Sequence, residues 1–188
     1  MIAYSLFEFA TAPGTGALWM IRSLSRAGFG FVQPHLACIP FPKSKSDCLR
    51  VSMVRHPCDW LGHYFNSINS TTPVRTVGNI RVLPIADNPL MLLPTDSFFH
   101  FIESYLEQCP GIVGAMFECY DADSYIRAED LPEAFYQLMD SLGISRSLYE
   151  CRISIPDLYS GLPEWEPELR RKVCRAELKM LEDFDYHC

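Results

Sequence analysis

Apolar and aromatic residues fill Met1–Ala10, with Glu8 the only charge, and such a run predicts a buried strand. A Pro/Gly turn follows at Thr11–Gly16, and Leu18–Ala27 reads as a short helix. Gly28–Val32 predicts a second strand, which enters a loop carrying Pro34, Pro40 and Pro42. Leu49–Val54 predicts a third strand. Pro57 then opens a helix, because proline lacks an N–H that the first helical turn does not use. Trp60, Leu61, Tyr64, Phe65 and Ile68 give that helix one apolar face.

The pattern lapses over Asn69–Pro94, where Pro73, Gly78, Pro84, Pro89 and Pro94 predict a long loop. A loop of that length suits a lid or the wall of a binding pocket. Its apolar residues Ile80, Val82, Leu83 and Leu90–Leu93 either meet an apolar ligand or pack the domain or a second subunit of a homodimer. Helical spacing returns at Phe98, Phe101, Ile102, Tyr105 and Leu106, behind a cap at Asp96. Gly111–Tyr120 predicts a further short helix, and Ser124–Ala128 a strand. Leu131, Phe135, Leu138, Met139 and Leu142 make a helix that stops at Gly143. Leu169, Val173, Ala176 and Met180 make the last one. Strands alternating with helices predict a single α/β domain over residues 1–188, with a central, mainly parallel sheet flanked by helices.

Composition narrows the function. Of 188 residues, 48% are hydrophobic and 21% charged, as in a folded globular chain. The net charge of −7 argues against a nucleic-acid-binding face but leaves room for a local basic pocket that takes a small anion. No apolar run approaches the length of a membrane span. The cysteines are Cys38, Cys48, Cys58, Cys109, Cys119, Cys151, Cys174 and Cys188; none forms a C-x-x-C pair or a Cys/His group with zinc-ligand spacing. Met1–Phe9 has no basic leader, so reduced thiols in a cytoplasmic protein are expected.

Two segments carry candidate chemistry. Pro13-Gly14-Thr15-Gly16-Ala17-Leu18-Trp19 lies between a strand and a helix. Unpaired backbone N–H groups and the helix dipole favour an anion there, and the glycines admit a close ligand. No Gly-Lys-Ser/Thr follows Gly16, so the lysine and the magnesium-binding hydroxyl of a nucleoside triphosphatase are missing. In the second segment, Val51–Leu61, a strand runs into a helix with Arg55 at the junction. Arg55 there either contacts phosphate in the crevice at the sheet's C-terminal edge or pairs with a carboxylate such as Asp59.

Together the two segments resemble the sulfotransferase family, whose P-loop-type fold stacks three layers about a parallel sheet. The family's 5′-phosphosulfate motif, Pro-Lys/Arg-Ser-Gly-Thr-Thr-Trp-Leu, is matched by Pro13 through Met20. Its 3′-phosphate motif, Arg-Asp/Asn-Pro-x-Asp-x-x-x-Ser-Tyr, is matched by Arg55, His56, Pro57, Asp59, His63 and Tyr64. Ile126-Arg127-Ala128-Glu129-Asp130-Leu131, followed by a helix ending in Leu142-Gly143-Ile144, is similar to the family's strand-to-helix Tyr-Glu-Asp-Leu segment, and Phe184-Asp185-Tyr186 to its terminal helix end.

The resemblance implies transfer of a sulfuryl group from 3′-phosphoadenosine 5′-phosphosulfate to a hydroxyl or amine of a small-molecule or glycan acceptor, without a metal. The product is adenosine 3′,5′-bisphosphate. It implies that Pro13, Gly14, Thr15, Gly16, Ala17, Leu18 and Trp19 hold the 5′-phosphate and that Arg55 and His63 hold the 3′-phosphate. It also puts His35, in Gln33-Pro34-His35, where several members carry the catalytic base. The chain departs from the pattern at three places: Gly14 stands for Lys or Arg, Ala17 and Leu18 for hydroxyl residues, and His63 for serine. Lys43 and Lys45 are alternative sources of the missing charge. These departures keep open a non-catalytic nucleotide- or partner-binding protein. An unrelated P-loop-like phosphotransferase is the third reading.

Overall fold

The structure, a computed structural model, describes residues 2–3, 7–26, 48–69, 89–149 and 160–188. The N-terminal apolar run is not one strand. Ile2–Ala3 (β1) pairs antiparallel with Phe7–Phe9 (β2), Ile2 opposite Phe9. The turn then leads into Ala17–Arg26 (α1). Leu49–Val54 (β3) precedes Pro57–Asn69 (α2), which begins at the proline as expected. Phe98–Gln108 (α3) and Ile112–Glu118 (α4) lead to Ser124–Arg127 (β4). Glu133–Ser141 (α5), Arg146–Tyr149 (α6), Pro167–Ala176 (α7) and Leu178–Asp183 (α8) complete the order.

The sheet order is β1-β2-β3-β4. β2 and β3 run parallel, Phe9 opposite Val51, and β3 and β4 run parallel, Val54 opposite Arg127. The chain is thus mixed α/β, with three parallel strands and an antiparallel edge. The described strands follow sequence order, so the reversal of strand order that opens a ligand crevice in many doubly wound sheets is not among them. The expected strand at Gly28–Val32 lies outside the described residues.

Side chains alternate across the strands and sort into two clusters. Phe7, Phe9, Val51, Met53 and Ile126 are buried with Trp19, Met20 and Leu24 of α1 and Phe135 of α5. Ala10 and Val54 point the other way and are buried with Trp60 and Leu61 of α2, Phe101 of α3 and Val173 of α7. β3 alternates in sequence, with Arg50 and Ser52 between Leu49, Val51 and Met53, yet it is buried on both sides from Arg50 to Val54.

Local differences from expectation have physical causes. The cap of α3 is Ser97, whose hydroxyl accepts from His100 N at 3.1 Å; the Asp96 carboxylate meets the His100 ring at 3.0 Å instead. The single C-terminal helix breaks at Glu177, whose carboxylate turns inward to buried donors. Of the long loop, Pro89–Leu92 forms a 3-10 turn, and residues 70–88 lie outside the described set. Cys174 and Cys188 form a disulfide, which corrects the expectation of wholly reduced thiols and leaves thiol state as no support for a cytoplasmic location. Among the described residues, no helix is long and apolar enough to cross a membrane.

Candidate functional site at the turn before the first long helix

The turn is built from its own hydroxyls. Beyond β2, Ala10 N still donates to Val51 O at 3.1 Å, which keeps the chain beside β3. Thr11 Oγ1 donates to Met53 O at 2.9 Å, and Thr15 Oγ1 donates to Ala12 O at 2.8 Å. Both threonines are buried. The Thr15 hydroxyl is therefore engaged inside the turn, and its backbone is what it can offer a ligand. Gly14 and Gly16 take φ of +81° and +85°, values that L side chains resist. Trp19 N then donates to Gly16 O at 2.9 Å as α1 begins at Ala17.

The parallel pairing of β2 and β3 brings the second segment to the same sheet end. Arg55, 1% exposed, donates from Nη1 to Gly14 O at 2.9 Å. Trp60 Nε1 donates to Pro13 O at 2.8 Å. Two successive carbonyls of the turn are thus held by donors, so their negative ends are neutralised where an anion would sit. The His63 ring lies over Gly14, although the residue as a whole stays exposed. Burial of that ring, and secondly the Arg55 charge, lower the His63 pKa, so the imidazole is neutral at pH 7.

Behind Arg55, the next residue is tied to distant parts of the chain. His56 N donates to Glu129 Oε1 at 2.8 Å, and Glu129 Oε2 accepts from Tyr186 Oη at 2.8 Å. The His56 and Tyr186 rings meet edge to face, with centroids 5.4 Å apart. Arg127 donates to Asp130 Oδ2 at 2.6 Å and to Asp185 O at 2.8 Å. All four landmarks of the resemblance therefore join in a single hydrogen-bonded patch around the end of β3.

Of the expected site residues, Pro13, Gly14, Thr15, Gly16, Arg55 and His63 come together. Ala17, Leu18 and Trp19 form the first turn of α1, with the Trp19 side chain buried in the core below the sheet, edge to face with Phe135. His35, Lys43 and Lys45 lie outside the described residues. Trp60 was missed as a site residue, because a tryptophan on an apolar helix face signals only core. Glu129 carried a signal in its Glu-Asp-Leu setting, but its role as acceptor for His56 N depends on a contact 73 residues away.

A lysine at position 14 is expected to destabilise the protein rather than raise activity. A Cβ on Gly14 would lie 2.7 Å from His63 Cδ2, at a φ that costs an L residue about 1–2 kcal/mol. Thermal melts of Gly14→Lys, alone and with His63→Ala, check this. The histidine truncation should recover the steric part and leave the φ part. A Gly14→Lys protein that melts like the wild type would overturn the assignment.

A cavity of about 430 Å³ borders the far side of that hydrogen-bonded patch, lined by Arg127, Glu129, Asp130, Glu133, Ala134 and Gln137. Three carboxylates against one guanidinium make it a poor receptor for phosphate, and none of the turn residues lines it. No family model matches this chain, and no curated protein or solved structure matches it either.

Proposed function

We propose that the chain is a sulfotransferase-like protein of P-loop-type, three-layer architecture that takes 3′-phosphoadenosine 5′-phosphosulfate at the 13–19 turn and transfers its sulfuryl group to a hydroxyl or amine acceptor. The observation that carries this reading is the bond from Arg55 to Gly14 O, which joins the 5′- and 3′-phosphate segments at one sheet edge. The positive-φ glycines and the α1 N-terminus suit a backbone cradle for the 5′-phosphate. A guanidinium presents its donors in a fixed fork that matches phosphate, so Arg55 is the residue of the second segment suited to a 3′-phosphate. His63 adds an imidazole that can donate. The nucleotide supplies the activated sulfuryl group; the chain's residues hold its phosphates and position it.

A second reading is nucleotide or partner binding without transfer. It draws support from Gly14, which offers the leaving phosphate no cation, and from Thr15, whose hydroxyl is turned inward. Calorimetric titration with adenosine 3′,5′-bisphosphate, adenosine 5′-monophosphate and ATP tests the common core of both readings. The bisphosphate should bind, and the other two much more weakly. Equal affinity for the monophosphate sinks both. Release of sulfate or of a sulfated acceptor then separates transfer from binding alone.

The same titration has a pH signature. A bound phosphate favours imidazolium, whereas free His63 has its pKa lowered from 6.5. The complex therefore binds more protons than the free protein, and affinity should rise as pH falls from neutrality toward the lowered pKa of free His63. His63→Ala should flatten that slope. An unchanged slope in the variant would remove His63 from the site.

A further inference from the structure

The sequence holds no zinc-ligand spacing, yet the fold gathers one ligand set from three separate parts of the chain. His56 follows β3, Cys58 lies in the first turn of α2, and Cys174 lies in α7. One ligand atom of each lies within 4.8 Å of the others, and all three residues are buried. Cys188 lies outside that group of three but is bonded to Cys174, so its sulfur stands beside it.

The histidine is already oriented. Cys58 N can only donate, and it meets His56 Nδ1 at 3.2 Å. In a neutral imidazole the proton then sits on Nε2, which donates to His187 O at 3.2 Å. Metal-bound histidines commonly direct their second nitrogen to a backbone carbonyl in this way, and an ion would take the Nδ1 lone pair in place of the Cys58 N–H.

We propose that, in the reduced protein, His56 Nδ1, Cys58, Cys174 and Cys188 form a structural Zn²⁺ site. Tetrahedral zinc with bonds of about 2.3 Å to sulfur and about 2.0–2.1 Å to nitrogen requires a modest contraction of His56, Cys58 and Cys174, and separation of the Cys174 and Cys188 sulfurs once their bond is reduced. A thiol reductant supplies two electrons and two protons to the Cys174–Cys188 disulfide and is itself oxidised to a disulfide. Zinc then displaces the protons of three thiols. Three thiolates, one neutral imidazole and Zn²⁺ carry a single net negative charge. The positive charge of Arg170 acts on both His56 and Cys58 and offsets it, against the carboxylates of Asp59, Glu129 and Glu177. The ion would pin the C-terminal tail and α7 to the residue after Arg55. Disulfide and zinc are alternative closures of one junction, so oxidation ejects the metal.

The test uses the full chain, reduced and metal-free, with Co²⁺ as the probe. An equimolar complex with thiolate-to-cobalt charge-transfer absorption, displaced by Zn²⁺, is expected. Cys58→Ser and His56→Asn should each weaken Co²⁺ at least about tenfold, because even an outer-shell change costs about 10–100-fold. Cys119→Ser, at an exposed cysteine, should bind as the wild type does. Oxidation should abolish the absorption, and a thiol reductant should restore it. In the wild-type chain, which needs no variant to fold, Zn²⁺ should slow alkylation of Cys58 and Cys174 but not of Cys119. Absence of charge transfer in the reduced wild type, equal alkylation with and without Zn²⁺, or Cys58→Ser binding like the wild type would overturn the proposal.

Discussion

An Arg55→Ala protein is expected to lose nucleotide binding and part of its stability together. Removing a buried, charge-assisted phosphate contact costs about 2–5 kcal/mol of binding. The same truncation takes the Nη1 donor from Gly14 O, and an acceptor left unpaired in the interior costs about 1–3 kcal/mol of stability. From sequence alone, the substitution would be expected to leave the fold intact. The 1% exposure of Arg55 changes that expectation, because a side chain so placed is also packing. Arg55→Lys separates the two roles. It keeps the charge and can reach the carbonyl, so urea melts should recover much of the loss, while the bidentate contact and hence most of the affinity stay lost. An Arg55→Ala protein that melts and binds like the wild type would remove Arg55 from both turn and site.

The largest loss of stability should come from Glu177. This buried residue between α7 and α8 accepts from Tyr105 Oη, from Val113 N at 3.1 Å and from Gly114 N at 2.8 Å. Those amides open α4, so the carboxylate also lies at the positive end of that helix's dipole. Burial raises the Glu177 pKa, and the hydrogen bonds oppose that rise. It likewise raises that of Tyr105, with the Glu177 charge adding to it, so the phenol remains a donor. Glu177→Ala strands these donors at about 1–3 kcal/mol each, enough to consume much of a small domain's stability of about 5–15 kcal/mol. Glu177→Gln should cost less, since it keeps one acceptor oxygen but turns an amide N–H toward a backbone donor. The exposed ion pairs of Lys179 with Glu118 and Asp183 supply the contrast: Lys179→Ala should barely move the urea midpoint. If Glu177→Ala melts within the scatter of Lys179→Ala, the carboxylate is not the hub described.

Much of the candidate site was legible because its parts are local. Gly14 and Gly16 stand where the backbone needs positive φ, and that requirement shows in the sequence as glycine. Pro57 marks the start of α2 because its ring suits the first helical turn. Arg55 stands out because it sits where a strand runs into a helix that a proline opens. The order of the segments supported the resemblance, but whether they meet depends on strand pairing, which no short window contains.

What the sequence by itself determined was the place along the chain of the elements whose pattern is local: β3, α1, α2, α3, α5 and the glycine turn. Apolar spacing and turn chemistry act over a few residues, so the residues alone specify them. Tertiary structure decided everything that joins residues far apart in the chain. It folded the N-terminal run into β1 and β2, because each half needs backbone partners and the other half provides them. It broke the last helix at Glu177, because buried donors on α4 and Tyr105 attract the carboxylate more than another helical turn would. It placed Arg55 on a carbonyl 41 residues away and brought Cys174 to Cys188, Cys58 and His56. Burial and polar satisfaction are properties of the assembled chain, and they settle which of several locally acceptable conformations and partners each residue takes.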